Sequence, residues 1–249
     1  MPAFARGWGN TSPTGFSGQG RWMNRAPSSA DRPADSHFRG LYVVTPDEPD
    51  TGDLVRKVRM TLAGGARVVQ YRNKTGNAAL RREQGAALLP LCRAARIPLI
   101  VNDDLALAES LDADGVHLGR DDIAITAARA RLGKSKLLGA SCYDRLDLAF
   151  AAREASADYV AFGSAFPSTT KPWAIRAPLS LFREAKMRFA CPIVAIGGIT
   201  LDNARTLIDA GADSVAVISA LFEASNIEYR AREFAGLFNA HDVEKRSLV

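Results

Sequence analysis

The chain has 249 residues, 47% hydrophobic and 24% charged, with a formal net charge of +5. That length suits one large α/β domain or two small ones, with ample material for a core. No apolar run of about 18 residues occurs, which excludes an obvious membrane-spanning helix. The charge is equally uninformative once located. Residues 1–39 hold five arginines against Asp31 and Asp35, a balance of +3 that leaves only +2 for the rest. A nucleic-acid binder concentrates its cations on one face or helix, so no nucleic-acid partner is expected. Cys92, Cys142 and Cys191 are far apart and form no Cys-x-x-Cys pair. That usage fits a reducing compartment, and a cytoplasmic protein is expected.

Residues 1–36 are rich in Gly, Ser, Pro and Asn and show no hydrophobic periodicity. Such a segment cannot bury enough apolar surface to offset its ordering entropy, so a disordered extension without a catalytic role is expected. It lacks the apolar stretch of a secretory signal. From about residue 37 to 240 the pattern is that of one domain, and residues 241–249 read as a flexible tail.

The expected elements alternate without exception. A strand at 41–44 precedes a helix at 53–63, and a strand at 68–71 precedes a helix at 80–95. Strand 98–101 leads to a short helix at 105–111, strand 116–118 to helix 123–132, and strand 137–140 to helix 145–154. Strand 159–162 is followed by helix 179–187, strand 193–196 by helix 201–210, and strand 215–218 by helical turns to Phe238. Strands this continuously apolar are buried on both faces, as in parallel sheets. Eight βα units in about 200 residues predict a single (β/α)8 TIM barrel, with a doubly wound open sheet as the rival. Short Gly/Ala/Asp clusters at 64–66, 112–115, 156–158 and 211–213 separate helices from the strands that follow. Small residues there let a helix stop in a left-handed turn.

In such barrels the chemistry lies at the C-terminal ends of the strands. The second strand ends in Gln70-Tyr71-Arg72-Asn73-Lys74, and alternation sends Gln70, Arg72 and Lys74 to one side. Arg grips phosphate bidentately and Lys acts as a point charge, so this face suits an anion. Asn102-Asp103-Asp104 follows the third strand, with Asp104 expected as a helix N-cap. Gly119-Arg120-Asp121-Asp122 follows the fourth. Carboxylates on neighbouring strand ends beside Arg and Lys suit a Mg²⁺ bridging a diphosphate, because Mg²⁺ takes few protein oxygens. Ser141 ends the fifth strand, and Ser168-Thr169-Thr170-Lys171 lies beyond the sixth. Gly197-Gly198 and Ile218-Ser219 close the last two strands, where these barrels recurrently bind phosphate. His117, within the fourth strand, reads as a barrel-lining residue rather than a catalyst.

Taken together these motifs resemble the thiamine-phosphate synthase family, over residue 40 to about 238. The resemblance implies a transferase of thiamine biosynthesis that joins hydroxymethylpyrimidine diphosphate to a thiazole phosphate (or its carboxylated precursor), releasing diphosphate. It implies that Gln70, Tyr71, Arg72, Asn73, Lys74, Asn102, Ser141 and Lys171 hold the pyrimidine diphosphate. Asp103 and Asp122 would ligate Mg²⁺, the implied cofactor. Ser168, Thr169, Thr170, Gly198, Ile218 and Ser219 would bind the thiazole phosphate. Arg72, Lys74, Ser141 and Lys171 would serve catalysis, chiefly by stabilising the leaving group. The chain departs from the pattern at Ser168, where the family has Thr, and at Arg120, where it has Gln. A thiazole tautomerase, a non-catalytic phosphate-sensing barrel and a phosphosugar isomerase or aldolase are the competing readings. The first looks to need a histidine where this chain has Tyr143. The partners implied are two phosphorylated small molecules and no membrane, and a homo-oligomer is left open.

Overall fold

The structure, a computed structural model, describes residues 38–167 and 175–247. The extension expected over 1–36 lies outside them.

Eight strands close into one parallel barrel in sequence order. They are β1 (Gly40–Val44), β2 (Val68–Tyr71), β3 (Leu99–Asn102), β4 (Gly115–Leu118), β5 (Leu137–Tyr143), β6 (Tyr159–Phe162), β7 (Ile193–Ile196) and β8 (Ser214–Val217). β8 pairs with β1 and seals the ring, leaving no sheet edge. The intervening helices are α1 (Thr51–Ala63), α2 (Ala78–Ala95), α3 (Leu105–Leu111), α4 (Ile125–Leu132), α5 (Leu146–Glu154), α6 (Leu179–Arg188) and α7 (Leu201–Asp209). A single turn, α8 (Ser219–Phe222), and a long α9 (Ile227–Ser247) complete the described chain.

Strand alternation divides the apolar residues into two cores. Leu41, Val43, Val69, Val101 and Val217 point outward into the layer beneath the helices. Tyr42, Val44, Val68, Ile100, Tyr159, Val194 and Ala216 point inward and fill the barrel together with Phe38, which packs its ring 4.2 Å from that of Tyr159. Burial on both faces explains why the strands read as unbroken apolar runs rather than alternating ones.

The barrel floor repeats one device three times. Asp114, Asp158 and Asp213 each precede an even-numbered strand. Their carboxylates accept the N–H of Leu99, Leu138 and Ile193, at 2.8, 2.8 and 2.9 Å, at the start of the preceding odd strand. Their own N–H groups donate to the carbonyls of the same three residues. The Asp before β4, β6 and β8 is thus a backbone staple that satisfies an amide at or next to the start of the preceding strand.

Several element ends shift by one or two residues from the sequence reading, and two shift further. β5 runs to Tyr143, because Cys142 buries outward beneath the helices and Tyr143 still pairs with Phe162 after a register shift. α9 continues past Phe238 and over 241–247, where a flexible tail was expected. Phe234, Phe238 and His241 form one buried stripe at helical spacing, which carries the helix onward.

Candidate active site

The β2 loop is held from both sides. Thr45, fully buried after β1, donates from its hydroxyl to the Arg72 carbonyl and accepts from the Arg72 N–H, both at 2.8 Å. Asp47 accepts from Arg72 Nη1 at 3.1 Å and from the Lys74 N–H at 2.6 Å. On the opposite side, buried Gln84 of α2 accepts from Tyr71 Oη at 2.9 Å and from Asn73 Nδ2 at 3.0 Å, and donates to the Glu48 carbonyl at 2.7 Å. Asn73 Oδ1 also takes the Gly76 N–H at 2.7 Å. Gln70 therefore faces the barrel axis, while Arg72 and Lys74 meet acids at the rim. The side chains of Tyr71 and Asn73, expected at the pyrimidine diphosphate, help to hold the loop and also border the cleft beside Lys74.

The two candidate metal carboxylates come together. Asp103 follows β3 in a left-handed conformation (φ 62°), and its N–H donates to the His117 carbonyl at 2.8 Å. Such a φ costs a non-glycine residue about 1–3 kcal/mol and clusters at functional sites. Lys74 Nζ lies 3.3 Å from Asp103 Oδ2. Asp122 Oδ2 accepts the Gly119 N–H at 2.7 Å. Burial and the neighbouring Asp103 carboxylate push Asp122 above the usual carboxylate range, against the lowering effect of that N–H. Like charges forced together in this way create a site that a divalent cation relieves. Among the described residues no three His, Cys, Asp or Glu side chains cluster for a metal. A two-carboxylate set fits Mg²⁺, which fills its octahedron with water and phosphate oxygens. Asp104 stands apart as the N-cap of α3, accepting the Leu107 N–H at 2.9 Å.

A cleft of about 480 Å³ opens beside these groups, bordered by Lys74, Arg81, Asn102 and Asp103. Arg81 Nε is buried there without a hydrogen-bond partner. Arg120 stacks over the Tyr143 ring, 4.7 Å from guanidinium carbon to centroid, which places its effect in the β4 and β5 loops.

Ser141 faces inward from β5, and His117 Nε2 lies 2.9 Å from its Oγ. The imidazole is buried, and burial pulls His117 down to about 4 despite the opposing pull of Asp103. A ring lining the barrel is what the sequence suggested.

On the far rim, Gly197 and Gly198 both have positive φ, 99° and 63°. A Cβ on Gly198 would lie 2.3 Å from the Pro167 carbonyl oxygen and 2.6 Å from that of Phe166. Glycine is needed there so that the loop after β6 can lie against the loop after β7. Ile218 caps α8 and Ser219 opens it, so the turn presents its first N–H groups to the rim. Ser168, Thr169, Thr170 and Lys171 lie outside the described residues.

Asp47, Gln84 and Tyr42 were missed by sequence reasoning. Asp47 carried a positional signal, since Thr45-Pro46-Asp47 follows β1 as the other motifs follow their strands. Gln84 carried none, being one polar residue on a helix.

The chain matches the family model described as thiamine monophosphate synthase over residues 41–221. It is 58% identical to the thiamine-phosphate synthase of Methylobacillus flagellatus over 202 residues, 81% of this chain and 96% of that one. It is 55% identical to the thiamine-phosphate synthase of Thiobacillus denitrificans over 205 residues, 82% and 97%. Among solved structures, the thiamine phosphate pyrophosphorylase from Pyrococcus furiosus superposes with a TM-score of 0.73 at 34% identity, covering 82% of this chain and 97% of that one.

Proposed function

The chain belongs to the thiamine monophosphate synthase family and is a transferase of that kind; on that premise we propose how its barrel mouth joins the two halves of thiamine phosphate. The observation that carries the reading is the convergence of Arg72, Lys74, Asp103 and Asp122 on consecutive strand ends. That cluster has the composition a diphosphate leaving group demands.

Arg72 and Lys74, with Lys171 and Asn102, hold the diphosphate of the pyrimidine substrate. Gln70 and Ser141 orient the ring from the barrel axis. Asp103 and Asp122 would hold Mg²⁺, which would supply positive charge for the diphosphate leaving group. The bond between the methylene carbon and the diphosphate oxygen breaks with its electron pair leaving on oxygen. The amino-pyrimidine spreads the resulting positive charge. The thiazole nitrogen then forms the new C–N bond with its own lone pair, so no protein base is required. Gly198, Ile218 and Ser219, with Ser168, Thr169 and Thr170, hold the thiazole phosphate across the mouth. The protein contributes positioning and leaving-group stabilisation.

Among the described residues no helix is long and apolar enough to cross a membrane. We assign the enzyme to the cytoplasm, with two phosphorylated small molecules as its partners. Incubation with both phosphorylated halves and Mg²⁺ should yield thiamine phosphate and diphosphate in equal amounts. Absence of product at saturating substrates overturns the reading.

A further inference from the structure

One continuous hydrogen-bonded chain crosses the barrel interior beneath the mouth. Gln70 Nε2 donates to Tyr42 Oη at 2.9 Å. Tyr42 Oη meets Tyr159 Oη at 2.9 Å, Tyr159 Oη meets His117 Nδ1 at 3.1 Å, and His117 Nε2 meets Ser141 Oγ at 2.9 Å. Five side chains from β1, β2, β4, β5 and β6 are thus linked, and both ends of the chain reach residues assigned to the pyrimidine. Space for it exists because β5 carries Gly139 at its centre. A Cβ there would lie 2.1 Å from the Tyr159 ring and 2.5 Å from His117 Nδ1. Tyr42 and Tyr159 are fully buried and His117 nearly so, so each hydroxyl and ring nitrogen must find its partner within the chain.

The donor at one end sets the direction of every bond. An amide nitrogen only donates, so Tyr42 Oη accepts from Gln70, and of the two directions open to the Tyr42–Tyr159 bond the one that leaves the Tyr42 hydroxyl proton paired sends it to Tyr159. Tyr159 then donates to His117 Nδ1. A neutral imidazole with an accepting Nδ1 carries its proton on Nε2, which donates to Ser141 Oγ. Ser141 is the less buried of the two end residues. Its oxygen accepts from the ring, and its hydroxyl proton is left for a partner outside the chain.

We propose that this relay makes His117 a positioning residue that fixes Ser141 as a hydrogen-bond donor to the pyrimidine diphosphate. With the opposite polarity His117 Nε2 would accept the Ser141 proton, and Ser141 could offer the substrate only an acceptor. A donating hydroxyl is the arrangement that stabilises an anionic leaving group or a ring nitrogen. The inference rests on the pyrimidine assignment above for its substrate, but the tautomer of His117 belongs to the free protein.

Nitrogen NMR on the full chain with labelled imidazole, without substrate, reads the tautomer directly. The expected result is protonated Nε2 and bare Nδ1; the reverse overturns the proposal whatever the substrate is. Tyr159→Phe, which removes one hydroxyl and little volume, should produce a mixture of tautomers. A spectrum unchanged by Tyr159→Phe counts against the relay. With both substrates, His117→Leu should lower kcat/KM for the pyrimidine diphosphate about tenfold and leave KM for the thiazole phosphate unchanged. His117→Gln, whose amide nitrogen replaces the Nε2 donor, should recover most of that loss. In a Ser141→Ala background the His117→Leu effect should vanish. An effect of the same size without the Ser141 hydroxyl would show that His117 acts by packing alone.

Discussion

Asp47 Oδ1 accepts from both the Arg72 guanidinium and the Lys74 N–H, so one carboxylate after β1 holds the two cationic residues of the loop after β2 in place. The pair sits at the rim and is partly exposed, which limits its worth to about 1 kcal/mol. Its value is geometric, since an Arg already held in its working rotamer loses less entropy when the diphosphate arrives. Asp47→Ala should therefore lower kcat/KM for the pyrimidine diphosphate about fivefold with little change in the urea unfolding midpoint. Unaltered kinetics would mean that Arg72 is positioned by Thr45 and substrate alone.

Asp103 and Asp122 make a different case, because burial and the neighbouring Asp103 carboxylate both disfavour the charged form of Asp122 when no cation is present. Asp122→Asn removes that repulsion, so the metal-free protein should be as stable as the parent or slightly more so. The same change removes a candidate ligand. The Mg²⁺ concentration for half-maximal activity should then rise at least about tenfold. Asp103→Asn should behave alike in metal dependence, and it also frees the Lys74 ammonium. Titration of activity against Mg²⁺ at fixed substrate, beside thermal melts in chelator, checks both parts. Unshifted Mg²⁺ curves for both variants would refute the metal assignment.

The barrel was legible because its signals are local and repeated: apolar runs buried on both faces, and small-residue clusters before each even strand. The acids and cations at the strand ends were legible by position, since a strand end in a barrel is a mouth residue whatever its type. What escaped depended on pairing across the ring. Nothing in the spacing of Tyr42, Tyr159 and His117 says that their polar atoms meet, and Gly139 reads as an ordinary strand residue until its neighbours are seen. Gln84 escaped for the same reason, being placed by the β2 loop rather than by its own helix. The end of α9 was misread because the buried stripe through His241 contains only one apolar residue after Phe234.

Gly198 offers a contrast between two glycines in one chain. It has φ 63° and would drive a Cβ into the Phe166 and Pro167 carbonyls, whereas a Cβ on Gly236 of α9 would meet nothing within 4 Å. Gly198→Ala should cost about 1–3 kcal/mol in urea unfolding and raise KM for the thiazole phosphate by displacing the loop after β6. Gly236→Ala should stabilise by about 0.5–1 kcal/mol, as expected for a helix interior, without a kinetic effect. Equal behaviour of the two variants would argue against the close approach of the two loops.

His117 predicts an acid limb in stability. Burial holds the folded ring at about 4, while the unfolded chain protonates near 6.5. The depressed folded value means that, as pH falls below about 6.5, the unfolded state takes up a proton that the folded state refuses. The contribution is constant above that point, is lost progressively between about 6.5 and 4, and amounts to about 2 kcal/mol by pH 5. Other titrating groups also act over this range, so the comparison that isolates His117 is with His117→Gln, which keeps a hydrogen-bonding side chain and cannot titrate. Urea unfolding at pH 7.5 and at pH 5 should show the parent losing about 2 kcal/mol more than the variant over the interval. Equal losses would mean that the ring accepts a proton in the folded barrel, and with it a donor at Nδ1 that Tyr159 would have to accommodate.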